Sequence, residues 1–92
     1  MNSFDLKHLN LLPQECGGLF KFDSQLVITA GFAAEFGKQA TIIAINALER
    51  IINERVKSDN GADYLQVLTY ECIKFWMIDD VHIVTVLLPG DY

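Results

Sequence analysis

Between residues 32 and 57, apolar side chains recur at spacings of three and four. Phe36, Ala40, Ile43, Ala47, Leu48 and Ile51 form one stripe; Gln39, Asn46, Arg50, Asn53 and Lys57 form the opposite one. That period predicts a long helix with one buried face. Ile42, Ile45 and Ile52 widen its apolar side, so it is expected to be covered along most of its length. Ser58, Asp59, Asn60 and Gly61 stop it, with Asn and Gly supplying the left-handed geometry of a helix end. The period then falls to two. Residues 64–70, 72–78 and 81–88 are expected as three strands. Asp79 and Asp80 make a tight turn between the last two. The link at Tyr70 and Glu71 is short enough only for a hairpin, so the order is antiparallel.

Residues 25–30 are short and β-branched and predict a fourth strand. Residues 19–22 alternate weakly, and Asp23 with Ser24 would fold them into a hairpin with it. At the N-terminus Ser3 is a cap for a short helix through Phe4, Leu6, Leu9 and Leu12, ended by Pro13. The expected fold is α+β: a four-stranded antiparallel sheet, one long helix packed on it and a short N-terminal helix. At 92 residues and 51% hydrophobic content, the chain is one ordered domain.

Strand side chains alternate between faces. On this reading Leu65, Val67, Thr69, Ile73, Phe75, Met77, Val84, Val86 and Leu88 lie under the helix. The other face takes Tyr64, Gln66, Leu68, Tyr70, Cys72, Lys74, Trp76, Ile78, Ile83, Thr85 and Leu87. The free face of an antiparallel sheet is usually polar, and this one is not. Either the N-terminal helix covers it or a partner does. As an interface its anchors are Tyr64, Tyr70 and Trp76, with Lys74 among them, since Tyr and Trp dominate binding hot spots. A register slip of one residue would exchange the faces.

Charge adds a direction. Residues 58–92 carry Asp59, Asp63, Glu71, Asp79, Asp80 and Asp91 against Lys74, a net of −5, which equals the net of the whole chain. Solubility accounts for such an excess. So does an acidic edge, with Asp79 and Asp80 at its turn, that meets a basic partner and speeds encounter. No apolar run reaches the ~18 residues of a membrane span. The first residues lack a basic stretch followed by an apolar one. The chain is expected to be soluble and cytoplasmic, without membrane contact, and Cys16 and Cys72 to be reduced and partly buried.

Catalytic vocabulary is sparse, and no catalytic residue, metal or cofactor is expected. His8, His82, Cys16 and Cys72 lack the close ligand pairs of structural zinc sites. Cys72 and His82 fall on opposite sheet faces, and Asp79 and Asp80 are adjacent rather than convergent. Gly17 and Gly18 lack the context of a phosphate loop. Arg50 and Lys57 share a helix face and can touch phosphates, but Glu49 and Glu54 interleave, and a net charge of −5 disfavours free nucleic acid as sole partner.

Two stretches resemble known sequences. Gln25-Leu-Val-Ile-Thr-Ala-Gly-Phe-Ala-Ala-Glu-Phe-Gly37 and Phe75-Trp-Met-Ile-Asp-Asp80, with the ending Val84-Thr-Val-Leu-Leu-Pro-Gly-Asp-Tyr92, are similar to a family of short proteins of bacterial mobile elements. The chain as a whole resembles phage anti-CRISPR proteins of the type I-F class, in overall sequence, length and acidity rather than in a motif. That resemblance implies a non-enzymatic inhibitor in the host bacterial cytoplasm. It would bind Cas proteins of the crRNA-guided surveillance complex and block target DNA, with Arg50 and Lys57 near the guide RNA backbone. The alternative is an immunity protein or antitoxin that neutralises a cognate toxin by direct binding.

Overall fold

A computed structural model of the chain describes residues 4–91. In chain order the elements are β1 (Leu9–Leu11), β2 (Gly18–Leu19), β3 (Gln25–Ile28), α1 (Ala30–Phe36), α2 (Ala40–Ile51), β4 (Gly61–Ala62), β5 (Leu65–Tyr70), β6 (Ile73–Asp79) and β7 (Ile83–Leu87). Short 3-10 turns cover Leu6–His8, Gly37–Gln39 and Pro89–Asp91, and a π-helical turn over Ile52–Val56 extends α2. The architecture is α+β, with a long helix packed on one sheet.

The sheet has five strands in the order β1-β5-β6-β7-β3 and is mixed rather than wholly antiparallel. β1, β5, β6 and β7 form antiparallel neighbours, and β3 lies parallel to β7. The expected hairpin between residues 19–22 and 25–30 does not form. Gly18–Leu19 instead runs parallel to Gly61–Ala62 in a separate two-stranded ribbon. Phe22 is the reason: its ring is fully buried, and its N–H donates to the Asp79 carboxylate at 2.9 Å. The chain therefore enters β3 from the core, not from a strand beside it. A parallel pair needs a long crossover, and the helices and β5–β6 supply it.

The expected N-terminal helix is also replaced. Ser3 lies outside the described residues; Asp5 caps the turn Leu6–His8, its carboxylate accepting from Lys7 N–H at 3.0 Å. The next residues join the sheet. Leu9 pairs with Tyr70 and Leu11 with Leu68, so both leucines reach the core while Asn10 is exposed. Leu6 is half-exposed and covers no sheet face. Period two, not period three, is the pattern this segment obeys.

Helix formation begins at Thr29, whose hydroxyl accepts from Phe32 N–H at 3.2 Å. The expected helix over 32–57 is interrupted once, at Gly37, where φ is 58° and ψ −130°. Only glycine adopts that conformation without strain. Beyond it α2 buries Ala40, Ile43, Ala44, Ala47 and Ile51. Three of these five are alanine, so the helix sits close to the sheet along a narrow stripe. At 3.6 residues per turn, Ile42 and Ile45 fall off that stripe. They are 45% exposed and do not widen the buried face as expected.

One turn decides which side chains meet that helix. Glu71 and Cys72 both have positive φ, 50° and 68°. They form a two-residue hairpin loop of the kind that matches strand twist. Tyr70 therefore pairs with Ile73, and Cys72 belongs to the turn, not to the strand. This exchanges the two faces of β5 relative to the expectation. Gln66, Leu68 and Tyr70 are buried with Phe75, Met77, Val84 and Val86. Leu65, Val67 and Thr69 lie on the other face. Tyr70 anchors the core: it stacks on Phe4 at 5.6 Å, meets Phe36 at 6.0 Å, and its hydroxyl accepts from Asp5 N–H at 3.0 Å.

Candidate functional site

Both helices pack on the face that holds Phe75 and Met77, and this leaves the opposite face open. Cross-strand pairs define it: Val67 beside Trp76 and Leu65 beside Ile78 on β5 and β6, then Trp76 beside Leu87 and Ile78 beside Thr85 on β6 and β7. Ile83 on β7 and Val27 on β3 continue it towards the sheet edge. Leu87 is buried under its neighbours; Val27, Leu65, Val67, Trp76, Ile78, Ile83 and Thr85 are only half-buried. Trp76 stands on the central strand of the five. Lys74 and Thr69 form the polar margin at one end, and Lys74 is exposed.

The other end of the sheet is acidic. Antiparallel order brings the start of β5, the end of β6 and the start of β7 together there, and parallel β3 adds its own start. Asp23, Asp63 and Asp80 thus flank that end from three separate loops. Leu19, 96% exposed, and Val81, 66% exposed, border a shallow cleft there with Phe20, Lys21 and Asp23. Tyr64 is half-exposed, with its ring edge-on to Phe20 at 6.1 Å. Pattern reading missed Leu19 and Val81; a leucine after Gly17 and Gly18, and a valine inside an aspartate turn, are the apolar residues out of place.

The paired aspartates have different tasks. Asp79 is 4% exposed, and its carboxylate accepts from Phe22 N–H at 2.9 Å and Val81 N–H at 2.7 Å. It is an internal brace, not a surface charge. Asp80 is exposed and accepts from Ile83 N–H at 2.8 Å and His82 N–H at 2.9 Å. The Ile83 bond, then the His82 bond and the nearby His82 ring, hold its carboxyl below the usual carboxylate range. Directly after the pair, Val81 has φ of 81°, a costly conformation for a β-branched residue. Its carbonyl accepts from the Ser24 hydroxyl at 2.8 Å.

The two helix cations diverge as well. Arg50 donates to the Leu9 carbonyl and pairs with Glu54 at 3.4 Å, so its guanidinium is engaged on the β1 edge. Lys57 is exposed and reaches Asn53 at 3.3 Å. Arg55, on the same helix, donates to the Leu12 carbonyl at 2.8 Å. Of the anchors expected on one face, Trp76 and Lys74 are there, Tyr64 is at the acidic end and Tyr70 is in the core.

Cys16 and Cys72 are free thiols and both exposed, not partly buried. Cys72 and His82 sit in the turns at opposite ends of the seven-residue β6, roughly 20 Å apart at a strand's rise per residue. Among the described residues no three His, Cys, Asp or Glu side chains are grouped to hold a metal ion. No helix among them is long and apolar enough to cross a membrane. No family model, curated protein or solved structure matches the chain.

Proposed function

We propose that this chain is a non-enzymatic phage inhibitor that binds the crRNA-guided type I-F CRISPR surveillance complex and blocks target DNA binding. The observation that carries a binding role is the open sheet face around Trp76, apolar across four strands and covered by neither helix. An apolar surface of this kind on a small domain marks an interaction site. The acidic end suits a partner with a basic, nucleic-acid-binding groove. The choice of partner rests on the whole-chain resemblance to the type I-F anti-CRISPR class, which also places the action in the host bacterial cytoplasm.

Magnitudes set the extent of the contact. A stable interface takes about 800 Å² from each partner. Five strands at ~4.8 Å spacing, about five residues long on average, present a plane of roughly 400 Å². The open face alone is half of what is needed. The contact therefore extends over the acidic end, where Leu19, Val81, Tyr64 and Asp80 are exposed. Lys57, exposed and bonded among the described residues only to the neighbouring Asn53 side chain at 3.3 Å, is the one of the two cations that can approach guide RNA; Arg50 serves the β1 edge.

The test is co-migration of the purified protein with a purified type I-F surveillance complex on size exclusion, then a target-DNA shift assay on the same fraction. Co-elution with lost DNA binding is expected. Separate elution with undisturbed DNA binding contradicts the proposal and directs attention to toxin neutralisation.

A further inference from the structure

The two edges of the sheet are finished differently. At the β1 edge α2 lies alongside, Arg50 takes the outward Leu9 carbonyl, and Arg55 takes the Leu12 carbonyl. That edge is blunted. At the β3 edge the ladder with β7 follows from Thr29 N–H donating to the Val86 carbonyl at 3.2 Å, with Leu26 beside Val84 and Ile28 beside Val86. In a parallel ladder this places the hydrogen-bonding groups of Gln25, Val27 and Thr29 towards β7. The N–H and C=O groups of Leu26 and Ile28 point outward, and among the described residues no hydrogen bond meets them.

We infer that the β3 edge pairs with the β3 edge of a second copy of this chain. Edge strands are ordinarily protected by lysine, proline, a bulge or a covering element. Residues 25–29, Gln-Leu-Val-Ile-Thr, contain no charge and no proline. A two-fold axis at Val27 sets Leu26 opposite Ile28 of the second copy and Ile28 opposite Leu26. Each of those pairs exchanges both main-chain bonds, so all four outward groups on each strand are used. An axis at Leu26 or at Ile28 uses fewer, so the register is selected. No side chain of residues 25–29 is charged; the one carboxylate bonded to the segment is Asp91, which accepts from the Thr29 hydroxyl at 2.8 Å at the strand's C-terminal end. Val27 meets its own copy on the open face, and the two open faces become one apolar surface across eight strands of a ten-stranded sheet. The second copy, not a foreign peptide, is the occupant the strand itself specifies: the same four residues supply both halves of a closed, isologous contact.

Val27 faces Val27 as a non-hydrogen-bonded pair, with Cα atoms about 4.5 Å apart, within the range a disulfide spans. The test uses the whole chain without any partner complex. Sedimentation over a hundredfold concentration series is expected to move the mass from 10.4 kDa towards twice that value. Val27→Lys places two ammonium groups on the axis and is expected to hold the protein monomeric with an unchanged far-ultraviolet spectrum. In a Cys16→Ser, Cys72→Ser background, mild oxidation of Val27→Cys is expected to give a covalent dimer, and Thr85→Cys, three strand spacings or roughly 14 Å from its counterpart on the same face, is expected to give none. A monomer at every concentration overturns the inference, and so does cross-linking through Thr85→Cys in place of Val27→Cys. A monomer that still captures the surveillance complex removes this inference and leaves the proposed function standing; a dimer that ignores the complex does the reverse.

Discussion

Phe75 and Trp76 are neighbours on one strand and lie on opposite faces of one sheet. Phe75 is fully buried among Phe32, Phe36 and the helices, with ring centroids at 5.1 Å and 6.0 Å. Trp76 sits on an equally apolar face that no helix crosses. The two faces are alike in composition and differ in what lies over them. The difference comes from the number of helices available. One helical layer can cover one side of a five-stranded sheet, and the segment expected to cover the other side joins the sheet edge as β1. A short chain buries a smaller share of its surface than a long one, and here the second face is left without a helix over it.

The sharpest way to test that contrast is to truncate the two residues in turn. Phe75→Ala is expected to lower stability by about 3–5 kcal/mol, the cost of a cavity in a packed core. Chemical denaturation would measure it. Trp76→Ala is expected to shift the midpoint far less and instead to cost about 2 kcal/mol of partner binding, roughly thirtyfold in Kd. If both variants unfold alike, the faces are equivalent and the open face is core.

The paired aspartates give a second, smaller contrast. Asp79→Ala leaves the Phe22 and Val81 N–H groups without their acceptor. It is expected to cost about 2–3 kcal/mol, as for hydrogen bonds to a charged, buried acceptor. Val81→Gly is expected to stabilise by about 1 kcal/mol, because relief of the positive φ outweighs the added backbone freedom of glycine. The Asp80 effect is smaller and is read as pH dependence. Its native pKa is lowered by the Ile83 and His82 N–H groups. The stability it contributes is therefore present above its unfolded pKa and is lost as pH falls through the native one. Asp80→Asn is expected to flatten that part of the acid limb of a melting-temperature profile and leave the neutral region nearly unchanged. An identical acid limb in the variant would assign the dependence to other carboxylates.

Much of this contrast was legible in the residues. The buried stripe Ala40, Ile43, Ala47 and Ile51 and the alternation in 73–79 and 83–87 follow directly from period. So do the surplus apolar face and the place of Trp76 on it. The face of β5 was not legible, because its parity hangs on the turn. Glu71 and Cys72 adopt positive φ without the Asn or Gly that normally announces it. Leu6, Leu9 and Leu12 keep helical spacing, but Leu9 and Leu11 obey the strand period, and pairing with Tyr70 and Leu68 decides the outcome. The position of β3 beside β7 is a tertiary choice with no local signal. The same holds for Asp79, whose burial depends on Phe22 arriving from 57 residues away.

The central claim is that the Trp76 face binds a partner and is not core. Its most direct test is size-exclusion co-elution of Trp76→Ala with the type I-F surveillance complex, run beside the wild-type protein, with the melting temperature of both. The account predicts a variant that melts close to wild type and no longer co-elutes. A variant that co-elutes as well as wild type, or that loses its fold as Phe75→Ala does, would contradict it.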